Sequence, residues 1–222
     1  MTPFSPAQHD VVLFDLDGVL VDSRRPFARS INSALSAHGM PERPEHELHQ
    51  YLGPPIHETF HALVGEQAQI QPYVDAYRTR YESLAASETT VFPGVRELLE
   101  GLSEIWPLTI ATSKPRALAE PLTEALDLRR FFVSVVGPEL ASENEHKAVT
   151  VGRAIQGLAS GSRPVMVGDR KYDVVAAHAH GIPAIGVLWG IGTAEELRGA
   201  GADALARTPA ELASLLSRDR AG

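Results

Sequence analysis

Five short, almost wholly apolar runs recur along the chain, with mixed polar and apolar stretches between them. They read VVLFD (11–15), LTIAT (108–112), FVSVV (132–136), PVMVGD (164–169) and PAIGVLW (183–189). A strand covered on both faces has no polar side, so unbroken apolar runs of this length predict parallel strands inside a layered α/β sheet. The intervening sequence is helical. PGVRELLEGL leads into the second run, and PRALAEPLTEALDL comes after it with Pro115 near a first-turn position. Near the end, Thr193 with Glu196 and Thr208 with Glu211 match capping boxes, and Pro209 falls at the first helical position of the second. Strand and helix in alternation predict a doubly wound, mainly parallel, Rossmann-like α/β sheet.

The first two runs break the rhythm, because far too much chain separates them for one crossover. From about Asp22 to Thr90 the sequence is helical, with no convincing strand. PFARSINSALSAHG places Phe27, Ile31, Ala34, Leu35 and His38 on one face and stops at Gly39. QPYVDAYRTRYESLAA lines up Tyr73, Tyr77, Tyr81 and Leu84 at steps of four and three, a stripe read as core packing. The expected division is a catalytic core of 1–21 and 91–222, with a small helical cap domain, 22–90, inserted after the first strand. Ligands of such sheets bind beyond the carboxyl ends of the strands, where the insert would hang as a lid.

Length and charge narrow the function. The chain of 222 residues is long enough for a core domain plus an insert. A net charge of −8 without a basic run argues against nucleic acid as a partner. No apolar run approaches the roughly 20 residues of a membrane span, so no membrane partner is expected. MTPFSPAQHD lacks the basic and apolar regions of a secretory signal. The absence of cysteine rules out thiolate chemistry and fits a reducing cytoplasm, the expected location. Oligomeric state is not readable from the sequence.

The candidate chemistry collects at the strand ends. Alternate strand residues share a face, so Asp15 and Asp17 point the same way, and two carboxylates that close repel unless one is protonated or a cation lies between them. The second strand ends in Thr112, Ser113 and Lys114, and the fourth in Gly168 and Asp169 with Asp173 a turn later. Lys147 opens the helical segment before the fourth strand. Oxygen ligands in this number suit Mg²⁺, which favours one or two carboxylates, water and a phosphate oxygen. An ion among Asp15, the main chain at Asp17, and Asp169 would keep Asp15 charged and leave Asp17 free to carry a proton. Thr112 or Ser113 can donate to a phosphoryl oxygen and Lys147 can neutralise it.

DLDGVLVDS, ATSK, Lys147 and VGDRKYDVVAA, in this order and with a helical insert after the first, resemble the four motifs of the haloacid dehalogenase superfamily. The resemblance covers essentially the whole chain and is greatest to the phosphoglycolate phosphatase group. VGDRKYDVVAAHAHGIPAIGVLWGIGTAEEL and LGPPIHETF are similar to small-phosphate phosphatases, pyrophosphatases and 5′-nucleotidases. It implies an Mg²⁺-dependent hydrolase of a small phosphorylated metabolite, working through an aspartyl-phosphate. Asp15 would be the nucleophile and Asp17 the acid that protonates the leaving oxygen, then the base for water. Thr112 would be the hydroxyl of the second motif and Lys147 the lysine of the third. Asp169 would bind metal, with Asp173 a ligand through water or a support for the ligands.

One departure stands out. HKAVTV replaces the Pro-x-Pro-like stretch that comes after the third-motif lysine in many relatives, which admits a share of that role for Lys114 or Lys171. Asp17 favours cleavage of a P–O bond, because a departing alkoxide needs a proton and a halide does not. The alternatives are a 5′-nucleotidase, an inorganic pyrophosphatase, a β-phosphoglucomutase-like phosphotransferase, and a non-catalytic phospho-accepting or regulatory protein. Gly53, Pro54 and Pro55 in YLGPPIHETF are the expected substrate-contacting loop, with Pro55 also a candidate helix start. Arg24 and Arg25 at the insert's entry read as surface residues. His178 and His180, diverging on a helix, read as non-ligating.

Overall fold

A computed structural model describes residues 5–142 and 145–217. The first four residues of the stretch read for a secretory signal lie outside them. In chain order the elements are β1 (Val11–Phe14), β2 (Val21–Asp22), α1 (Arg24–Ala37), α2 (Glu45–Leu48), α3 (Ile56–Val64), α4 (Gln71–Glu88), β3 (Thr90–Val91), α5 (Val95–Ser103) and β4 (Leu108–Ala111). Next come α6 (Arg116–Ala125), β5 (Ser134–Val136), α7 (Lys147–Gln156), β6 (Pro164–Gly168), α8 (Lys171–Ala179), β7 (Ala184–Val187), α9 (Ala194–Gly199), β8 (Ala204–Ala206) and α10 (Pro209–Leu216).

Six strands form one parallel sheet in the order β5-β4-β1-β6-β7-β8, with Val12 beside Leu108 and Val165 in register. The apolar runs are apolar throughout because each face has its own helices. Val12, Phe14, Val165 and Val167 pack with Leu99 of α5, Leu122 of α6 and Leu212 of α10. Their neighbours Val11, Leu13 and Met166 face the other way, against Val151 of α7 and Val174 of α8. This is the doubly wound parallel sheet expected from the sequence. β1 sits where the order runs outward in both directions, the position at which such sheets open a ligand crevice.

Three strands escape the apolar pattern. β8 carries Ala-Leu-Ala, without the β-branched or aromatic residues that mark a strand, and forms by pairing Ile185 to Ala204 at the sheet edge. β2 and β3 are two residues each and pair antiparallel, Val21 with Val91 and Asp22 with Thr90. They make a two-strand ribbon through which the helical insert leaves and rejoins the sheet. FVSVV is shorter as a strand than as a run, because Phe132 belongs to the turn after a single 3₁₀ turn, and Val133 is exposed.

Inside the insert α1 packs along α4, with Phe27 edge-on to Tyr77 at 5.9 Å and Phe60 edge-on to Tyr77 at 6.2 Å. His38 lies past the end of α1, exposed, with its ring 4.4 Å from that of Tyr73. At the entry Arg24 pairs with Asp22 at 2.5 Å, while Arg25 and Arg29 both pair with Glu88. Pro115 stands one residue outside α6, as its N-cap. Thr193 and Thr208 accept from the amides of Glu196 and Glu211 as the capping pattern requires. Glu196 spends its own carboxylate elsewhere, on Arg170 and the Lys171 amide. Among the described residues no helix is long and apolar enough to cross a membrane.

Candidate functional site

The strand ends bring the predicted residues to one edge. Asp15 directly follows β1, its amide still donating to the Val167 carbonyl of β6 at 2.9 Å. Leu16 turns into the core, and Gly18 reverses the chain with φ of +84°, its amide donating to Val21. Thr112 follows β4, its amide bonded to the Val136 carbonyl at 2.9 Å and its hydroxyl accepting from the Lys114 amide at 3.2 Å. Asp169 follows β6, and Asp173 sits in the first turn of α8, where one oxygen accepts from the Arg170 amide at 3.2 Å.

Lys147, the first residue of α7, is buried between two of these acids. Its Nζ lies 2.6 Å from Asp15 Oδ1 and 2.9 Å from Asp173 Oδ1. Burial opposes its charge, but Asp15 and Asp173 outweigh that and raise its pKa. For Asp15 burial dominates, and against the pull of Lys147 it pushes the carboxyl up to about 6. Asp169 is driven well above the usual carboxylate range by burial, then by Asp173 and Asp15.

The carboxylates of Asp15, Asp169 and Asp173 each offer an oxygen within 4.8 Å of the others. Asp169 Oδ2 accepts from the Ile191 amide at 2.7 Å, while Oδ1 is buried with no hydrogen-bond partner among the described residues. An orphaned buried carboxylate oxygen is costly unless a cation or proton meets it. Three hard oxygen donors, one lacking a partner, fit a small divalent cation. Glycines keep the space beside Asp169 clear: a Cβ on Gly18 would stand 2.2 Å from Asp169 Oδ2, and one on Gly190 would stand 2.4 Å from it. Gly18→Ala should therefore displace Asp169, strain a left-handed backbone, and cost about 1–3 kcal/mol of stability together with metal affinity. Chemical denaturation and a metal titration check both; wild-type values for the two would remove the steric argument.

Asp17 stands apart from the three-acid cluster. Its carboxylate accepts from the Ser23 hydroxyl and pairs with Lys114, whose Nζ is 2.9 Å from Oδ1 and 2.7 Å from Oδ2. Its side chain is taken up by Ser23 and Lys114 and is not one of the acids whose oxygens gather. Lys114 Nζ also donates to the Tyr81 hydroxyl at 2.8 Å and lies 4.7 Å from that ring's centre. Burial works against the Lys114 charge, yet Asp17 and Tyr81 together raise its pKa. Lys171 is exposed, its ammonium over the Tyr172 ring. Of the three lysines, then, Lys147 meets Asp15, Lys114 meets Asp17, and Lys171 meets neither.

One cavity joins these groups to the insert. Asp15, Asp17, Thr112, Ser113 and Lys114 form its sheet side, and Phe27, Leu52, Gly53, Pro54, Tyr77 and Tyr81 its opposite wall. Pro55 is placed differently from the expectation, as the residue capping α3 rather than in the wall or at the first helical position. The tyrosine stripe is core packing, as expected, and it does something more. Tyr77 and Tyr81 are buried and stacked at 5.5 Å, yet both border the cavity, and Tyr81 uses its hydroxyl there. Periodicity marks a buried face without saying that the face ends in a polar pocket; the buried hydroxyl's need for a partner was the available signal. His178 meets Asp203 and His180 the Ala148 carbonyl, so they diverge as expected.

A family model described as haloacid dehalogenase-like hydrolase matches residues 12–187. A 5′-nucleotidase of Pseudomonas aeruginosa is 35% identical over 191 residues, 84% of this chain and 86% of that protein. A phosphoglycolate phosphatase of Chromobacterium violaceum is 35% identical over 216 residues, 92% of this chain and 95% of that one. The crystal structure of a predicted phosphatase from Clostridium acetobutylicum superposes with a TM-score of 0.87 at 30% identity, covering 93% of this chain and 97% of that one. The chain therefore belongs to the haloacid dehalogenase-like hydrolase family and is one of its phosphatase-like enzymes.

Proposed function

We propose that the protein hydrolyses a small phosphate monoester, with Mg²⁺ as cofactor, through a phosphoryl group carried transiently on Asp15. The observation that carries this reading is the placement of Asp15. It is a buried carboxylate against Lys147, opening into the same cavity as Asp17, Thr112 and Ser113. Asp15 would attack phosphorus, and the ammonium of Lys147 would offset charge on the phosphoryl oxygens while holding Asp15 and Asp173 in place. The hydroxyls of Thr112 and Ser113 would donate to the phosphoryl oxygens. Asp17, beside Asp15 in the same cavity, would give a proton to the leaving oxygen and take one from the incoming water. Asp15, Asp169 and the Asp17 main chain would hold Mg²⁺, supported by Asp173; the ion would supply charge neutralisation to the acids and to the phosphoryl group.

The helices between the β2–β3 ribbon would serve as a cap, with Gly53 and Pro54 touching the part of the substrate that leaves. The names borne by the similar proteins make phosphoglycolate and nucleoside 5′-monophosphates the first esters to try. A generic aryl phosphate should be hydrolysed with Mg²⁺ present and spared once chelator is added. Turnover that ignores chelator would overturn the metal part of the scheme.

Metal binding should also leave a pH signature in stability. Asp15 and Asp169 titrate higher in the fold than in the unfolded chain, so the native state holds their protons more tightly. Without metal, stability then falls as pH rises from the usual carboxylate range through about 6 and above. Mg²⁺ requires these groups ionised and should restore what is lost. Saturating Mg²⁺ is therefore expected to raise Tm clearly at about pH 7.5 and hardly at all at about pH 5. Equal increments at both would mean that the ion binds elsewhere.

A further inference from the structure

Arg170 has no part in the proposed reaction, although it directly follows Asp169. Its side chain is largely buried, and two of its three nitrogens are engaged. Nε donates to Glu196 Oε1 at 2.9 Å, while Nη1 donates to the main-chain carbonyls of Leu52 at 2.6 Å and Gln50 at 3.2 Å. Glu196 is itself fixed from the sheet side, because the Lys171 amide donates to the same oxygen at 2.9 Å. Arg170 is thus anchored on the turn between β6 and α8, and its outer edge is spent on the backbone of the insert. The contact is to carbonyls, so it fixes the path of the chain and not one side chain.

The segment that it grips runs straight into the cavity wall. Leu52 and Gly53 lie against Arg170 and line the cavity with Pro54. Gly53 has φ of +117°, and a Cβ there would stand 3.5 Å from Arg170 Cγ. Pro54 and Pro55 stiffen the chain on the far side of Gly53, so a tie at 50–52 is transmitted to 53–54 with little slack. A planar fork of donors can serve a carboxylate on one edge and two carbonyls on another, which a single ammonium cannot.

We infer that Arg170 is a specificity-determining positioning residue, tying the 52–54 wall to the turn that carries Asp169. At the 52–54 wall, the distance from the phosphoryl site to the surface that meets the rest of the substrate is then held by this side chain. This rests on the phosphatase reading only for its consequence in substrate choice; the tie itself is independent of it.

The test uses the full chain with Arg170→Met and Arg170→Lys, in buffer containing Mg²⁺. In Arg170→Met, amide hydrogen exchange over 49–55 should quicken about tenfold or more while the sheet keeps its protection. The ratio of kcat/KM between phosphoglycolate and adenosine 5′-monophosphate should narrow by about tenfold, with Arg170→Lys between the two. A general loss of stability would lower both rates alike and leave the ratio alone. Unchanged exchange at 49–55, exchange that rises equally across the sheet, or an unchanged ratio would each overturn the inference. Wild-type protein inert toward both esters and toward an aryl phosphate would instead overturn the phosphatase reading, and exchange would still decide the tie.

Discussion

Replacing Asp15 with Asn should abolish turnover and leave the fold standing. The amide has the shape of the carboxylate but lacks the charge needed to attack phosphorus, so kcat on an aryl phosphate should fall by about three orders of magnitude or more. Stability should change little in the metal-free protein. Asp15 is a buried acid already disfavoured by its burial and by Asp173, and Lys147 keeps Asp173 as a partner at 2.9 Å when Asp15 goes. Steady-state rates with Mg²⁺ and a melting curve decide it. A variant that kept most of the wild-type rate would move the nucleophile to another group.

Lys147→Met should damage stability and rate together. The lysine is the shared cation of Asp15 and Asp173, at 2.6 and 2.9 Å, and all three groups are buried. Breaking a buried pair by removing one partner typically costs about 3–5 kcal/mol, because the charge left behind has no solvent to meet it. The loss should shrink toward about pH 5, where the stranded Asp15 takes up a proton. Activity should drop about a hundredfold or more even where the protein is folded, since the ammonium beside Asp15 is then gone. Denaturant titrations at two pH values and kcat on folded protein test this. A loss below about 1 kcal/mol would show that the ammonium is not the counter-charge of the acids.

The sheet was legible because burial on both faces leaves a continuous apolar signature, and VVLFD and PVMVGD carry it in full. The acids and Lys147 were legible for a related reason. Parallel strand ends converge in space, so residues more than a hundred positions apart can be assigned to one edge from the strand pattern alone. β8 was not legible, since Ala204–Ala206 becomes a strand only through its neighbour. Nor was the role of Tyr81. A stripe at helical spacing records that a face is buried, and the Lys114 ammonium under the Tyr81 hydroxyl depends on how α4 settles against the turn after β4. The task of Arg170 was hidden as well, because its partners on the insert are main-chain carbonyls, which leave no trace in side-chain identity.

The helical insert joins the sheet through just two neighbouring crossings, Val21–Asp22 going out and Thr90–Val91 coming back, paired to each other. A segment whose two ends emerge side by side can be exchanged as a cassette without rethreading the host, much as a loop can. A foreign helical bundle grafted between Asp22 and Thr90 would inherit the acids and lysines of the sheet edge intact. It would have to bring its own acceptor for Arg170 and its own hydroxyl for Lys114 to sit down at the same height.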